Sequence, residues 1–224
     1  MPAKAATLSN NARLILSALA RLRFATREQL LYWSPLGDLS SITRLTNKLF
    51  KDGWIHYYDE LRPRVFRLTQ TGRRVMAAPS FGRRFSSMSA IQQHCHKNNS
   101  EILLRKTNPE ATFQTRKFSL SYGLNPSVAE YLVLMKEGEF ALALVDDYFM
   151  ASERVKHSLE RTHTPDKRFY SFTDSHVVRH WFDAVKQVFV FSTDEVQVEK
   201  HQSFINENNL TGKAEFIQPI WNVS

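Results

Sequence analysis

Apolar residues recur at helical spacing in three segments near the start of the chain. The first segment runs from Ser9 to Arg23. The second begins at Thr26, which opens a capping-box pattern of Thr followed three residues later by Gln, and it ends before Pro35. The third runs from Ser40 to Asp52. This pattern predicts three short helices that follow a mobile tail at residues 1–8.

The third of these helices is strongly amphipathic. Its apolar stripe consists of Ile42, Leu45, Leu49 and the neighbouring Phe50. Asp38 or Ser40 can cap its start, and Gly53 can close its end in a left-handed conformation. The other side is small, polar or basic: Ser40, Ser41, Thr43, Arg44, Asn47, Lys48 and Lys51. Such a face suits the major groove of DNA, although an ordinary solvated helix face could have the same composition.

Beyond Gly53 the period changes from helical to alternating. Trp54–Tyr58 and Arg64–Leu68 are predicted strands, and the loop between them ends at Pro63. Thr69 can then cap a further short helix. Three helices, a hairpin and a closing helix predict a winged helix-turn-helix over residues 9–78.

Charge is divided unevenly along the chain. Residues 1–90 contain 15 Lys/Arg and five Asp/Glu, a net charge of +10, whereas residues 91–224 have a net charge of −2. This asymmetry predicts a polyanion partner for the first part of the chain. For double-stranded DNA, the expected base-reading residues are Ser41, Arg44, Asn47 and Lys48, and the expected phosphate contacts are Arg27, Lys51, Arg62, Arg64 and Arg67. A solvated hairpin tip is the alternative for Arg62 and Arg64.

Residues 79–88 contain Pro, Ser and Gly and are interpreted as a linker to a second domain at residues 89–224. The predicted helices of that domain are Ser89–Lys106, Ser152–Arg161, His176–Ala184 and Asp194–Asn208. The predicted strands are Phe113–Leu120, Val128–Met135, Phe140–Val145, Gln187–Phe191 and Ala214–Ile217. This order predicts an α/β domain with a mixed sheet, and an α+β class for the whole chain.

Four short motifs are Phe24–Leu30, Gly53–Ile55, Arg62–Thr69 and Gly72. They resemble the winged-helix part of the replication-relaxation and MobC-type plasmid mobilisation proteins. The element order after residue 89 is similar to the restriction-endonuclease-like domain that follows the winged helix in that family. The resemblance implies a bacterial plasmid or other mobile element, in which the protein would act as a transcription regulator or as a relaxosome accessory factor beside other relaxosome or regulatory proteins.

Metal-dependent nucleases of that fold hold Mg²⁺ with an acid before a hairpin and with an Asp/Glu-x-Lys motif on its second strand. Here Ser127 stands at the first position, and Asp146 and Asp147 at the second have no lysine two residues on. We therefore expect a domain without catalysis and without a cofactor. The alternative is a Mg²⁺-dependent DNA-nicking enzyme that uses Glu130, Asp146, Asp147 and Lys156.

The single cysteine, Cys95, excludes an internal disulfide and is typical of a reducing cytosol. No apolar run approaches the length that spans a membrane, so a cytoplasmic protein without a membrane partner is expected. His94-Cys95-His96 matches the His-hydrophobic-His pattern of relaxases, but in a helix residues two apart diverge by about 200°, so no metal site is expected. The sequence thus predicts a specific DNA-binding protein, expected to be a homodimer on an inverted repeat.

Overall fold

The computed structural model describes residues 8–78, 87–114, 131–134, 140–146, 172–174, 177–179, 185–207, 209 and 211–220. The fold is mixed α+β, with six helices and nine strands in these ranges. The chain divides into two compact units, one formed by Met1–Ile102 with Ile220–Ser224 and the other by Leu103–Pro219.

The first unit begins with helices that start where the sequence predicts. Its elements are α1 (Asn10–Leu22), α2 (Arg27–Trp33), α3 (Leu39–Lys51), β1 (Ile55–Tyr58), β2 (Val65–Leu68), α4 (Gln70–Val75) and the start of α5 (Met88–Thr107). The N-caps of α1 to α4 are Ser9, Thr26, Asp38 and Thr69, whose side chains all accept from backbone N–H groups. Thr26 and Gln29 form the predicted capping box, and Gly53 has the predicted left-handed conformation with φ 75°.

An apolar core lies between the first three helices and one face of the hairpin. It includes Ile15, Leu19, Leu30, Ile42, Leu49, Ile55, Phe66 and Leu68. The hairpin is antiparallel with Ile55 opposite Leu68, and Ala25 extends it by exchanging two backbone hydrogen bonds with Phe66 at 3.1 and 2.8 Å. Gly72 of α4 packs so closely that a Cβ there would lie 2.3 Å from the carbonyl oxygen of Trp54, the residue before β1, so α4 can approach this backbone only through a glycine.

The second face of the hairpin is also covered. The alternation in β2 predicts that Val65 faces away from the core, but Val65 is fully buried in a second apolar cluster. That cluster contains Phe24, Leu61, Val65, Ile91 and Cys95, with Tyr58, Met88 and Ile220 packed against it. At Val65, β2 is therefore buried on both sides, because α5 covers this part of the face that the pattern leaves to solvent, while Arg67 on the same face is half-buried.

Polar contacts reinforce this packing of α5. The buried Gln29 side chain donates from Nε2 to the Cys95 carbonyl oxygen and to Asn99 Oδ1, both at 2.7 Å. Asn98 Nδ2 donates to the Phe24 carbonyl oxygen at 2.7 Å. The compact N-terminal unit consequently extends to Ile102, whereas the sequence places the domain boundary at residues 79–88.

The second unit contains a five-stranded sheet in the order β3-β4-β5-β8-β9. Its strands are β3 (Thr112–Gln114), β4 (Tyr131–Leu134), β5 (Phe140–Asp146), β8 (Val185–Ser192) and β9 (Gly212–Phe216), and the helix α6 (Glu195–Glu207) lies between the last two in sequence. The pairs β3–β4 and β4–β5 are antiparallel, while β5–β8 and β8–β9 are parallel. The sheet is mixed, as predicted.

One predicted helix of this unit is wrong. Residues His176–Ala184 were expected to be helical, but Val177–Arg179 form a strand, β7, that pairs antiparallel with β6 (Phe172–Asp174). Consecutive β-branched valines lose side-chain freedom in a helix and fit a pleated strand, which explains the difference. The predicted helix Ser152–Arg161 and residues 115–120 of the predicted strand Phe113–Leu120 lie outside the described residues.

Candidate nucleic-acid interface

The start of α3 is fixed by a hydrogen-bonded cap. Asp38 accepts from the Ser41 backbone N–H at 2.7 Å and from the Ser41 hydroxyl at 3.0 Å, and the Ser40 hydroxyl donates to the same carboxylate. These bonds, led by that from Ser40, lower the pKa of Asp38 to about 2. The hydroxyl protons of Ser40 and Ser41, two of the predicted DNA contacts, are thus directed at the cap.

The middle and end of α3 present a basic surface. Arg44, Lys48 and Lys51 are all exposed, and Arg44 and Lys48 lie one turn apart on the same side. Thr43, between them and the core, is half-buried. No residue from Leu39 to Lys51 is acidic. Cations in the last turn also complement the negative end of the helix dipole, so they do not weaken the helix that carries them.

Arg27 connects α2 to the exposed side of α3. Its Nη2 donates to Asn47 Oδ1 at 3.2 Å, and its Nε lies 3.4 Å from the buried hydroxyl oxygen of Thr46. The guanidinium also lies 5.2 Å from the centre of the Phe66 ring. Partial burial, and then the nearby charge of Arg64, lower the pKa of Arg27. Arg27 therefore positions Asn47 and brings a second cation close to Arg64.

Aromatic rings join the hairpin to α3. The Arg64 guanidinium lies 4.6 Å from the centre of the Tyr57 ring, and Tyr57 in turn lies 4.5 Å from the ring of Phe50 on α3. Phe50 is 40% exposed, although the helical pattern assigns it to the apolar stripe. Its contact with Tyr57 places Arg64 beside the basic side of α3. In the sequence, the only indication of this Phe50–Tyr57 contact is that an aromatic residue lies next to the apolar stripe of α3.

The loop between the strands partly neutralises its own arginines. Asp59 Oδ1 lies 3.3 Å from Arg64 Nε and 3.5 Å from Arg62 Nη1, and Arg62 also donates to the Asp59 carbonyl oxygen. All three charged side chains are exposed by a third or more. Ion pairs this exposed are weak and screened by salt, so a stronger anion could replace Asp59.

Arg67 lies on the opposite face of the hairpin. It pairs with His56 in the strand register, and its guanidinium lies 5.2 Å from the ring centre of Tyr58. Burial raises the pKa of Tyr58, while Arg67 opposes that shift. Because side chains alternate along a strand, Arg67 faces away from Tyr57 and Phe66. The fold does not bring Arg67 together with the basic side of α3.

Only some of the candidate metal and nuclease residues lie within the described part of the chain. Glu130, Asp147 and Lys156 lie outside the described residues, and Asp146 is the last residue of β5, paired in parallel with Ser192. His94-Cys95-His96 lies in α5, as predicted, where burial lowers the pKa of His94 to about 4. Among the residues that the structure describes, no three His, Cys, Asp or Glu side chains form a group that could hold a metal ion.

The residues that the fold does gather are those at the junction of α2, α3 and the hairpin. We call this surface the α3 face, and it consists of Arg27, Arg44, Asn47, Lys48, Phe50, Lys51, Tyr57 and Arg64. In comparisons with known proteins, no family model and no curated protein matches this chain. Within the described part of the chain, no helix combines the length and apolar character needed to cross a membrane.

Proposed function

We propose that the first unit is a winged helix-turn-helix that binds double-stranded DNA through the α3 face. The single observation that carries this proposal is the exposed stripe of Arg44, Lys48 and Lys51 on a helix without carboxylates. α3 has 13 residues and is about 20 Å long, and the major groove is about 12 Å wide, so the helix can lie in the groove.

The surroundings of the stripe support the same proposal. Arg64 reaches the α3 side of the hairpin through Tyr57, and there the hairpin loop can act as a wing that contacts phosphates. Arg27 and Arg64 repel each other in the free protein, and a phosphate between them would offset that repulsion. The net charge of +10 in residues 1–90 would add a salt-dependent attraction to the whole duplex.

Further parts of the proposal rest on the resemblance to plasmid mobilisation proteins. They are a role as a transcription regulator or relaxosome accessory factor, a homodimer on an inverted repeat, and a catalytically degenerate restriction-endonuclease-like second unit. The mixed sheet, with an antiparallel pair β4–β5 followed by parallel β8 and β9, is compatible with that last description. The DNA-binding proposal itself does not depend on them.

The test is selection of binding sites from a random duplex library, followed by fluorescence anisotropy with a selected and a scrambled duplex. If Arg44 reads a base, Arg44→Ala lowers affinity for the selected duplex by about tenfold or more, and for the scrambled duplex much less. Equal losses of affinity for both duplexes would mean that α3 contacts phosphates and does not read bases. No binding to any duplex at low salt would refute the proposal.

A further inference from the structure

The contact between Arg27 and Asn47 fixes the orientation of the Asn47 side-chain amide. A guanidinium group can only donate hydrogen bonds, so the Asn47 atom that faces it has to be the carbonyl Oδ1. Arg27 Nη2 lies 3.2 Å from this oxygen. If the amide were flipped, the Asn47 Nδ2 amine and the Arg27 guanidinium would face each other with N–H donors on both sides and no acceptor. The Nδ2 amine is therefore directed away from Arg27 on the exposed side of α3.

Arg27 is itself held in place before any ligand binds. The hydroxyl of Thr46 donates to the Ile42 carbonyl oxygen at 2.9 Å, which leaves a lone pair of its oxygen for Arg27 Nε at 3.4 Å. The Phe66 ring supports the guanidinium, 5.2 Å from the ring centre. Thr46 and Phe66 are both buried, so the groups that orient Arg27 are fixed by the core of the unit.

This orientation changes which base the amide can recognise. A free asparagine reads adenine by accepting from N6 with its oxygen and donating to N7 with its nitrogen. Arg27 occupies one of the two lone pairs of the Asn47 oxygen. Its positive charge also disfavours an amino group, such as adenine N6, at the other lone pair, so the amine is the group that Asn47 presents without competition. Guanine presents two adjacent acceptors, N7 and O6, to such a donor, whereas adenine presents a donor beside its acceptor.

We propose that Asn47 reads guanine rather than adenine in the major groove, and that Arg27 is the positioning residue that sets this choice. The inference rests on the proposed DNA-binding function. It assigns to Arg27 a role in specificity in addition to any phosphate contact made by its remaining N–H groups.

The experiment is binding-site selection with the full-length wild type and with Asn47→Ala, which identifies the base pair that depends on Asn47. Anisotropy is then measured with all four bases at that position. We expect the wild type to prefer guanine over adenine by a factor on the order of ten. In Arg27→Met, which keeps an unbranched side chain over Phe66 but has no donor, we expect adenine to equal or exceed guanine.

A second variant keeps Arg27 and changes the group that it orients. Asn47→Asp retains an oxygen for Arg27 and replaces the amine by an acceptor, so we expect the preference to move to cytosine, whose N4 donates. This variant decides the matter if circular dichroism shows that Arg27→Met is not folded. A cytosine preference then shows that the group at the amine position of residue 47 reads the base, and together with a wild-type preference for guanine over adenine it supports the inference. An unchanged preference overturns it.

The remaining outcomes separate this inference from the function on which it rests. An adenine preference in the wild type, or a guanine preference unchanged in folded Arg27→Met, would overturn the role of Arg27. An enriched site that is insensitive to Asn47→Ala would overturn base reading by Asn47 and leave DNA binding intact. A library without any enriched sequence would overturn specific DNA binding itself.

Discussion

Two helices of equal length show how differently the two units use a helix surface. α3 and α6 each contain 13 residues. α3 carries three basic residues and no acid, whereas α6 carries three glutamates and one lysine, Lys200. A solvated helix face ordinarily mixes the two signs of charge, as α6 does. The single sign of α3 is therefore consistent with the proposed anionic ligand.

The helices also differ in what their polar side chains contact. Gln202 of α6 accepts a hydrogen bond from the Ala214 backbone N–H of β9 at 2.9 Å, so a polar group of α6 secures the sheet of its own unit. α3 is secured mainly by a narrow stripe in which Ile42, Thr46 and Leu49 are buried. A helix that needs only a narrow stripe for stability can leave the rest of its surface to a ligand.

The largest effect should come from reversing one charge on each helix. Lys48→Glu and Lys200→Glu make the same change at exposed positions. We expect Lys48→Glu to weaken duplex binding by about 10- to 100-fold, because a phosphate or base contact is replaced by repulsion. Lys200→Glu should change affinity by less than about twofold. Anisotropy titrations at low salt measure both affinities. Similar losses of affinity in the two variants would show that α3 is no more important for duplex binding than α6.

A second prediction concerns the unit that supports α3. Gln29→Leu removes the donor for the Cys95 carbonyl and for Asn99, together with the acceptor for the Thr26 N–H in the capping box, and we expect the free energy of unfolding to fall by about 1–3 kcal/mol. Urea denaturation measures this change. Gln70→Leu, at an exposed position of α4, is the control and should change stability by less than about 0.5 kcal/mol. Equal effects would show that the buried contacts of Gln29, including those to α5, contribute no more to stability than an exposed side chain does.

A smaller effect, of opposite sign, is expected at the hairpin loop. Asp59→Asn releases Arg62 and Arg64 from their shared carboxylate, so we expect duplex affinity to rise by about two- to fivefold at low salt. Glu60→Gln makes the same change of net charge at the adjacent exposed residue and should produce a smaller rise. If the two variants bind equally well, general charge rather than the release of these arginines explains the gain.

The smallest effect is the pH dependence of the cap of α3. The pKa of Asp38 is about 2 in the folded chain, below its ordinary value of 3.8. Because the folded value is the lower one, the ionised cap stabilises the fold fully above about pH 4, and this stabilisation is lost as the pH falls through 2. Asp38→Asn keeps an acceptor at the cap but does not titrate. The difference in unfolding free energy between the wild type and Asp38→Asn should therefore narrow as the pH falls from 4 to 2, because only the wild type loses stability from this titration. A difference that stays constant would contradict the lowered pKa.

Features that depend on residues close together in the sequence could be predicted from it. The capping box of Thr26, the left-handed Gly53 and the mixed order of the sheet follow from local patterns and strand order. The contact of Gln29 with Asn99 joins residues 70 positions apart, and no spacing rule encodes it. Burial of Val65 was missed for the same reason, since α5 covers it.

The α3 face shows the same division. Its exposed cations could be predicted, because the helical period separates Arg44 and Lys48 from the core. The orientation of Asn47 by Arg27 could not, because it requires the position of α2 relative to α3. Arg67 is different: the alternation of β2 already indicated that it lies on the side away from Phe66, and that signal was outweighed by its positive charge.

Burial of β2 on both faces has a consequence for the order in which this unit opens. Its backbone amides cannot reach water by lifting the hairpin from one partner, because the helical core holds one side and α5 the other. Hydrogen exchange at Val65–Leu68 should therefore require opening of the whole unit, while the exposed Asp59 and Glu60 at the loop exchange through local fluctuations. The hairpin would then combine slowly exchanging strands with a rapidly exchanging loop. In the proposed DNA complex, the loop could adapt to the backbone while the strands keep their register.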